Sequence, residues 1–265
     1  MLQLVPGDFG DWQSMERLLS GAKLLGITLD REKQARFSRY YEILSEWNQW
    51  MNLTRITNKD SVAVLHFLDS LTPSIAIPTT ILNHGAAIDI GTGPGFPGIP
   101  LKIAFPNMRI DLVESSSKKI QFLQHLIDQL QLTGVRTHQG RAETLAHESS
   151  MRENFDLVLS RATSKLPTLV EIALPFLRPK GILIAQKRGE IPQELESMGS
   201  ILPYLGGASP EIIDLCLPGL EDNRFLTVVT KTKVTDMKYP RRPGIPNKRP
   251  LDKVIQRLDP DGKSH

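Results

Sequence analysis

Residues 88–98 read Ile-Asp-Ile-Gly-Thr-Gly-Pro-Gly-Phe-Pro-Gly. An apolar run (AAIDI, from 86) leads into this cluster and a helix-like stretch, 97–105, leads out. Glycine here permits a tight turn and close approach of a ligand to the backbone. At the carboxyl end of a parallel sheet, such a turn lies where ligands bind. Three further sets of residues close later apolar runs: Glu114, then Gly140-Arg141-Ala142-Glu143, then Leu159-Ser160-Arg161-Ala162. A carboxylate at 114 can accept hydrogen bonds from both hydroxyls of a ribose. A carbonyl, amide or carboxylate at 140–143 could read an adenine edge, and Glu143 could equally be a first-turn acid complementing a helix dipole. The fork of donors on Arg161 suits a carboxylate, a phosphate or a guanine edge.

Two ligand classes use this arrangement. Gly93-Pro94-Gly95-Phe96-Pro97-Gly98 satisfies G-x-G-x-x-G, and Glu114 lies 21 residues after Gly93, a spacing that suits a dinucleotide and a nicotinamide dehydrogenase. The strand, however, stops at Ile90, so the turn starts at Gly91. Asp89 also sets a carboxylate beside the loop, where a pyrophosphate would be repelled and a cation favoured. S-adenosylmethionine, with its sulfonium and amino group and no phosphate, fits that charge.

These residues need a frame to bring them together. Short apolar runs begin near 86, 109, 135, 155 and 181, and helix-like stretches lie at 97–105, 116–131, 141–148 and 164–177. Strands alternating with helices predict a doubly wound α/β fold with a parallel sheet. EIIDLCL at 211–217 and RFLTVVTK at 224–231, joined by a short loop, predict an antiparallel pair at the sheet edge, seven strands in all. Upstream, helices are predicted over about 11–25, 30–51 and 58–71, with Asp30 and Asn58 as caps. Phe37, Tyr40, Tyr41, Leu44, Trp47 and Met51 follow a helical spacing and read as core. His66, Asp69 and Ser70 share one helix face; they suit a helix-to-domain contact better than a hydrolase triad. The expected organisation is an N-terminal helical cap (1–81), a ligand-binding α/β domain (82–232) and a basic C-terminal tail (233–265).

Composition narrows the class. The 265 residues carry a net charge of +3 and a single cysteine, Cys216, which excludes an internal disulfide framework and a Cys-rich zinc site. The six histidines show no metal-ligand spacing, so no metal is expected. No secretory signal and no apolar run long enough for a membrane span is visible, which predicts a cytoplasmic protein without a membrane partner. Residues 231–249 hold seven Lys/Arg against one Asp. Such a segment attracts polyanions, nucleic acid first among them.

Taken together, DIGTGPGFPGIPLKIAFP, VESSSKKIQFL, GRAE, SRA and YPRRPGIPNKRPL, with WNQWMNLTRIT and HFLDSL upstream, resemble the RsmG (GidB) methyltransferases from about residue 16 to 251. The resemblance implies a Rossmann-like class I methyltransferase that uses S-adenosylmethionine to methylate N7 of a guanine in the decoding-region loop of small-subunit ribosomal RNA. Its partner would be that RNA or the ribosomal subunit, and a monomer is expected. Donor contacts carried over by motif are Gly91 and Phe96, Glu114 with Ser115 and Ser116, Ala142 and Glu143, and Arg161; Asp89 and Gly93 join them from the reading of the loop. Candidates for RNA contact are Asn52, Lys165, Lys187, Arg188, Arg241, Arg242, Lys248 and Arg249. Guanine N7 has a free lone pair, so the chemistry is positioning and no catalytic base is assigned. A non-enzymatic RNA-binding assembly factor with a vestigial pocket is the alternative from a different class.

Overall fold

The computed structural model describes residues 9–161 and 164–258. Expectations for residues 1–8, Ala162 and the end of the chain from 259 fall outside these.

Seven strands form one sheet: β1 (Ala86–Ile90), β2 (Arg109–Glu114), β3 (Val135–Gln139), β4 (Phe155–Arg161), β5 (Leu177–Arg188), β6 (Glu211–Leu217) and β7 (Leu220–Thr230). Their order is β3-β2-β1-β4-β5-β7-β6. β1 to β5 pair parallel, while β7 runs antiparallel to β5 and to β6. The order reverses between β1 and β4, so the crevice at their carboxyl ends is the topological switch point where such sheets bind ligands.

Alternation along the strands sorts side chains onto two faces. Ala87, Ile110, Leu112, Leu157 and Leu159 join one core cluster. Ile88, Ile90, Val113 and Val158 join the other. By the same alternation Asp89 and Arg161 belong to the first face.

That first face is covered by α1 (Phe9–Leu24), α2 (Arg31–Met51), α6 (Gly98–Ala104) and α7 (Ser117–Gln129). Between α2 and β1 run α3 (Lys59–Val62), a π-helical turn (Ala63–Leu68), α4 (Asp69–Leu71) and α5 (Thr79–His84). Asp30 and Asn58 cap α2 and α3 as expected, accepting from Lys33 N at 2.9 Å and Ser61 N at 3.1 Å. Phe37, Tyr40 and Leu44 are buried, so the aromatic stripe is core. The helix expected over 58–71 is there, but its middle is π-helical. This wider turn carries His66 and leads into Asp69, both buried at the sheet.

The opposite face is covered by α9 (Leu166–Ala173), α10 (Pro192–Leu205) and α12 (Leu251–Leu258). Short α8 (Ala142–Leu145) follows β3, and short α11 (Ile245–Lys248) precedes α12. The basic segment that opens at 233 does not extend away from the body. The guanidinium of Arg152 donates to the carbonyls of Thr235, Asp236 and Tyr239 at 2.7–3.1 Å. Lys231, fully buried, donates to Leu174 O at 2.6 Å and to Thr235 Oγ1.

Candidate functional site

The glycine loop is built from below. Asp89 is fully buried, and its Oδ2 accepts from Thr92 Oγ1 at 2.7 Å and from Gly98 N at 2.9 Å. A Cβ at Gly98 would stand 2.6 Å from the Leu112 side chain and 2.9 Å from Asp89 Oδ2, so only glycine lets this backbone reach the carboxylate. From the cap, Tyr40 donates its hydroxyl to Pro94 O at 2.5 Å. Asp89 therefore shapes the loop from the cap face. Burial raises its carboxyl to about 6, against the lowering pull of the Thr92 and Gly98 hydrogen bonds. Its Oδ1 is buried with no hydrogen-bond partner among the described residues.

Above the loop, a cavity of about 490 Å³ opens at the carboxyl ends of β1, β2 and β3. Gly91, Glu114, Ser115, Ala142 and Glu143 all line it, so half of the ten donor contacts expected from the sequence converge on one space. Glu114 Oε1 accepts from Ser116 N at 2.9 Å and lies 3.4 Å from Ser115 Oγ. Among the described residues Glu114 Oε2 is paired only with Lys119 Nζ, at 3.8 Å, which leaves it able to accept from a ligand hydroxyl. Gly91, at φ 69°, turns the chain sharply so that its amide still donates to Val113 O at 3.0 Å. Gly93, at φ 59°, has nothing within 4 Å of a Cβ position. A free carboxylate oxygen, an open glycine turn and a space of nucleoside size fit S-adenosylmethionine.

The other expected donor residues, Asp89, Gly93, Phe96, Ser116 and Arg161, do not line this cavity, Asp89 because it is buried beneath the loop, and Glu143 lines it but serves otherwise. Phe96 is buried between Tyr40 and His66, with ring centroids 5.4 and 4.5 Å away. The carboxylate of Glu143 accepts from Gly244 N at 2.9 Å. Arg161 faces the cap: Nη1 donates to Asp69 Oδ2 at 3.1 Å and Leu65 O at 3.3 Å, and Nη2 to His66 Nδ1 at 3.2 Å. Its guanidinium also lies 4.8 Å from the centre of the Phe96 ring. Because an arginine can only donate, His66 Nδ1 must accept, and Nε2 then donates to Thr54 Oγ1 at 2.7 Å. Burial and the neighbouring Arg161 hold the imidazole neutral, lowered to about 3. The expected helix-to-domain contact of His66 and Asp69 is this network.

A second cavity, about 530 Å³, lies on the Arg161 side, and Ser164 lines both spaces. Arg161, Lys165, Lys187, Arg188 and Arg224 bring five cations to it. Its three acids are paired within the protein. Asp69 binds Arg161 and Arg224, Asp222 binds Arg224 at 2.5 Å, and Glu194 accepts from Leu166 N at 2.9 Å with Lys187 at 3.7 Å. Arg224, which reaches Asp69 Oδ1 at 2.7 Å, escaped the sequence reading because it opens an apolar strand run like an ordinary polar strand end. Gln186 also lines this cavity, and its Oε1 is buried without a partner among the described residues.

The remaining candidates scatter. Asn52 is exposed in the left-handed C-cap of α2. Arg242, Lys248 and Arg249 are exposed, and Lys248 also lines the first cavity. Arg241 is spent within the fold: its backbone N, Nε and Nη2 donate to the fully buried carboxylate of Glu171 at 3.0, 2.8 and 2.6 Å. A cavity of about 760 Å³ between α1, the π turn and the β6–β7 connection is remote from the glycine loop. Among the described residues no helix is long and apolar enough to cross a membrane.

Residues 33–201 match the family model GidB, described as rRNA small subunit methyltransferase G. A protein of Geobacillus thermodenitrificans named ribosomal RNA small subunit methyltransferase G is 43% identical over 85% of this chain and 94% of its own. A protein of the same name from Limosilactobacillus reuteri is 44% identical over 85% of this chain and 94% of its own. Among solved structures, a putative sarcosine dimethylglycine methyltransferase from Galdieria sulphuraria superposes with TM-score 0.50 at 11% identity, covering 75% of this chain and 98% of that one. That likeness bears on the fold alone.

Proposed function

The chain belongs to the GidB family of small-subunit ribosomal RNA methyltransferases, and from that premise we propose that it transfers the methyl group of S-adenosylmethionine to N7 of a guanine in the decoding-region loop. The observation that carries this reading is the pair of cavities meeting at Ser164, one offering Glu114 and an open glycine turn, the other crowded with cations.

When bound, S-adenosylmethionine supplies a methyl group on a positively charged sulfur. The rest falls to the protein. Glu114 holds the ribose hydroxyls through its free oxygen, and the turn at Gly91, which has no side chain, lets the donor lie close against the backbone with its reactive end toward the shared wall. Lys165 and Arg188, exposed at the mouth of the second cavity, meet RNA phosphates. Arg161, Lys187 and Arg224 shape its floor while held by Asp69, Asp222, Glu194 and Ser164 O. Arg161 is thereby kept from donating to N7, which would block the lone pair that must attack. No group needs to remove a proton, since the N7 lone pair is free at neutral pH. The neutral His66 accordingly serves the architecture, and catalysis lies in holding the nitrogen in line with the methyl carbon, about 3 Å away. Arg242, Lys248 and Arg249 offer further phosphate contacts, Asn52 a separate one, and the protein works as a cytoplasmic monomer.

Equilibrium binding tests the donor half. S-adenosylhomocysteine binds with 1:1 stoichiometry, NAD does not, and Glu114→Ala weakens S-adenosylhomocysteine by about 10-fold or more. Binding of NAD in preference, or an unaffected Glu114→Ala variant, rejects the reading.

A further inference from the structure

The wall of the first cavity opposite the glycine loop comes from a part of the chain beyond the family-model match, which ends at 201. Pro243, Gly244, Asn247 and Lys248 line that wall. The segment is pinned along its length. His147 Nε2 is 2.8 Å from Pro240 O, Glu171 grips Arg241, Glu143 accepts from Gly244 N, and Thr168 Oγ1 donates to Pro246 O at 3.1 Å. Two of these pins are carboxylates with little or no exposure, Glu171 at 0% and Glu143 at 8%. Buried acids placed to receive a backbone amide fix a strap in position and do more than cover a surface.

Asn247 and Lys248 stand apart from the pinned residues of the strap, and of the two only Asn247 carries a side-chain acceptor. Its side chain is exposed, lines the cavity and makes no hydrogen bond among the described residues. A carboxamide carries one acceptor and two donors, and it matches the paired acceptor and amino group on the edge of adenine. Glu114 takes the ribose, so the base extends beyond it toward the 140–143 loop and the strap. Glu143 Oε1 is already engaged by Gly244 N, so this oxygen serves the strap.

We infer that residues 240–248 are a strap that completes the donor pocket, in which Asn247 reads the adenine edge and Glu143 acts as a positioning residue by holding Gly244. This rests on the reading of the first cavity as the S-adenosylmethionine site.

Calorimetry with S-adenosylhomocysteine and with S-inosylhomocysteine tests it. In the second ligand an oxo group replaces the 6-amino group, so the N7 edge presents two acceptors, and a carboxamide can pair with only one of them in either orientation. The wild-type chain prefers the adenine compound. Asn247→Ala lowers affinity for that compound by about 10-fold and leaves the inosine compound nearly unchanged, so the preference collapses. Glu143→Ala weakens both ligands alike, and Glu143→Gln, whose amide oxygen still accepts from Gly244 N, restores both. An Asn247→Ala variant that keeps the wild-type preference, or loses both ligands equally, overturns the assignment of Asn247. A Glu143→Ala variant with wild-type affinities overturns the strap. A wild-type chain that binds neither ligand removes the donor reading, and the inference with it.

Discussion

Arg161 Nη1 donates to Asp69 Oδ2 at 3.1 Å, so the end of β4 is tied directly to the helical cap. Asp69 Oδ1 takes Arg224 at 2.7 Å, which makes the carboxylate a hinge pin between two arginines from different strands. A buried pair broken on one side leaves an uncompensated charge. Here Asp69 keeps a second partner, so Arg161→Ala is expected to cost about 3 kcal/mol, at the lower end for such breaks. Arg161→Lys cannot serve Asp69, Leu65 O and His66 at once with a point charge, and it loses activity while S-adenosylhomocysteine affinity stays near wild type. Denaturant unfolding and calorimetry check both halves. A large loss of donor affinity would return Arg161 to the donor site.

His66 gives a stability signal with a defined sign. Its imidazole falls from the ordinary 6.5 to about 3 in the folded chain. The unfolded chain therefore binds the extra proton first, between these values. The stabilising contribution is complete above pH 6.5 and fades as pH falls toward 3, by at most about 1.4 kcal/mol per pH unit. Unfolding of the wild type and His66→Gln across pH 7 to 5 measures the difference, which should narrow as acid is added. A constant difference would contradict a neutral, buried ring.

Asp89 has the opposite sign. Its carboxyl rises from 3.8 to about 6, chiefly through burial. The folded chain holds the proton longer, so this group's contribution is complete below pH 3.8 and is lost as pH rises through about 6. Asp89→Asn retains an oxygen for Thr92 and Gly98 and lacks this titration. The stability of wild type relative to Asp89→Asn should decline between pH 4 and 6, and a pH-independent gap would contradict it. Asp89→Ala gives up both loop hydrogen bonds and weakens donor binding through the shape of the loop.

The basic segment divides into two functions. Arg241→Ala leaves Glu171 buried and without its guanidinium, at a cost of about 3–5 kcal/mol in unfolding free energy. Replacing Arg242, Lys248 and Arg249 together by Gln leaves stability within about 0.5 kcal/mol, as surface changes do. If each meets one phosphate, the salt dependence of RNA binding flattens by about 2 in log–log slope. An unchanged slope would take these three side chains off the RNA.

Much of this architecture is legible before any coordinates. The five short runs are β1 to β5; β1, β2, β4 and β5 are mostly apolar because both their faces are covered, while the edge strand β3, VRTHQ, is only partly buried. Gly91, Glu114 and Ala142 are legible together by the same logic, since each lies at or just past the carboxyl end of β1, β2 or β3. The faces are harder to read, because both sides of the sheet are buried. Asp89 and Arg161 sit among apolar residues of both faces, and only the core clusters tell that they turn toward the cap. The π turn at Ala63–Leu68 has no local sequence mark. Nor does the strap, whose partners Glu143 and Glu171 lie 101 and 70 residues before Gly244 and Arg241. Its charge suggests a free polyanion-binding tail, and the acids that hold it are visible only in three dimensions.

The most direct test of the account is methyl transfer from labelled S-adenosylmethionine to small-subunit ribosomal RNA that lacks the modification, followed by nucleoside analysis and repeated on RNA carrying 7-deazaguanosine at the decoding-region loop. Label is expected in 7-methylguanosine at one position of the unmodified RNA and none in the deaza RNA, where carbon replaces the attacking nitrogen. Label in any other nucleoside, or equal label in the deaza RNA, would contradict it.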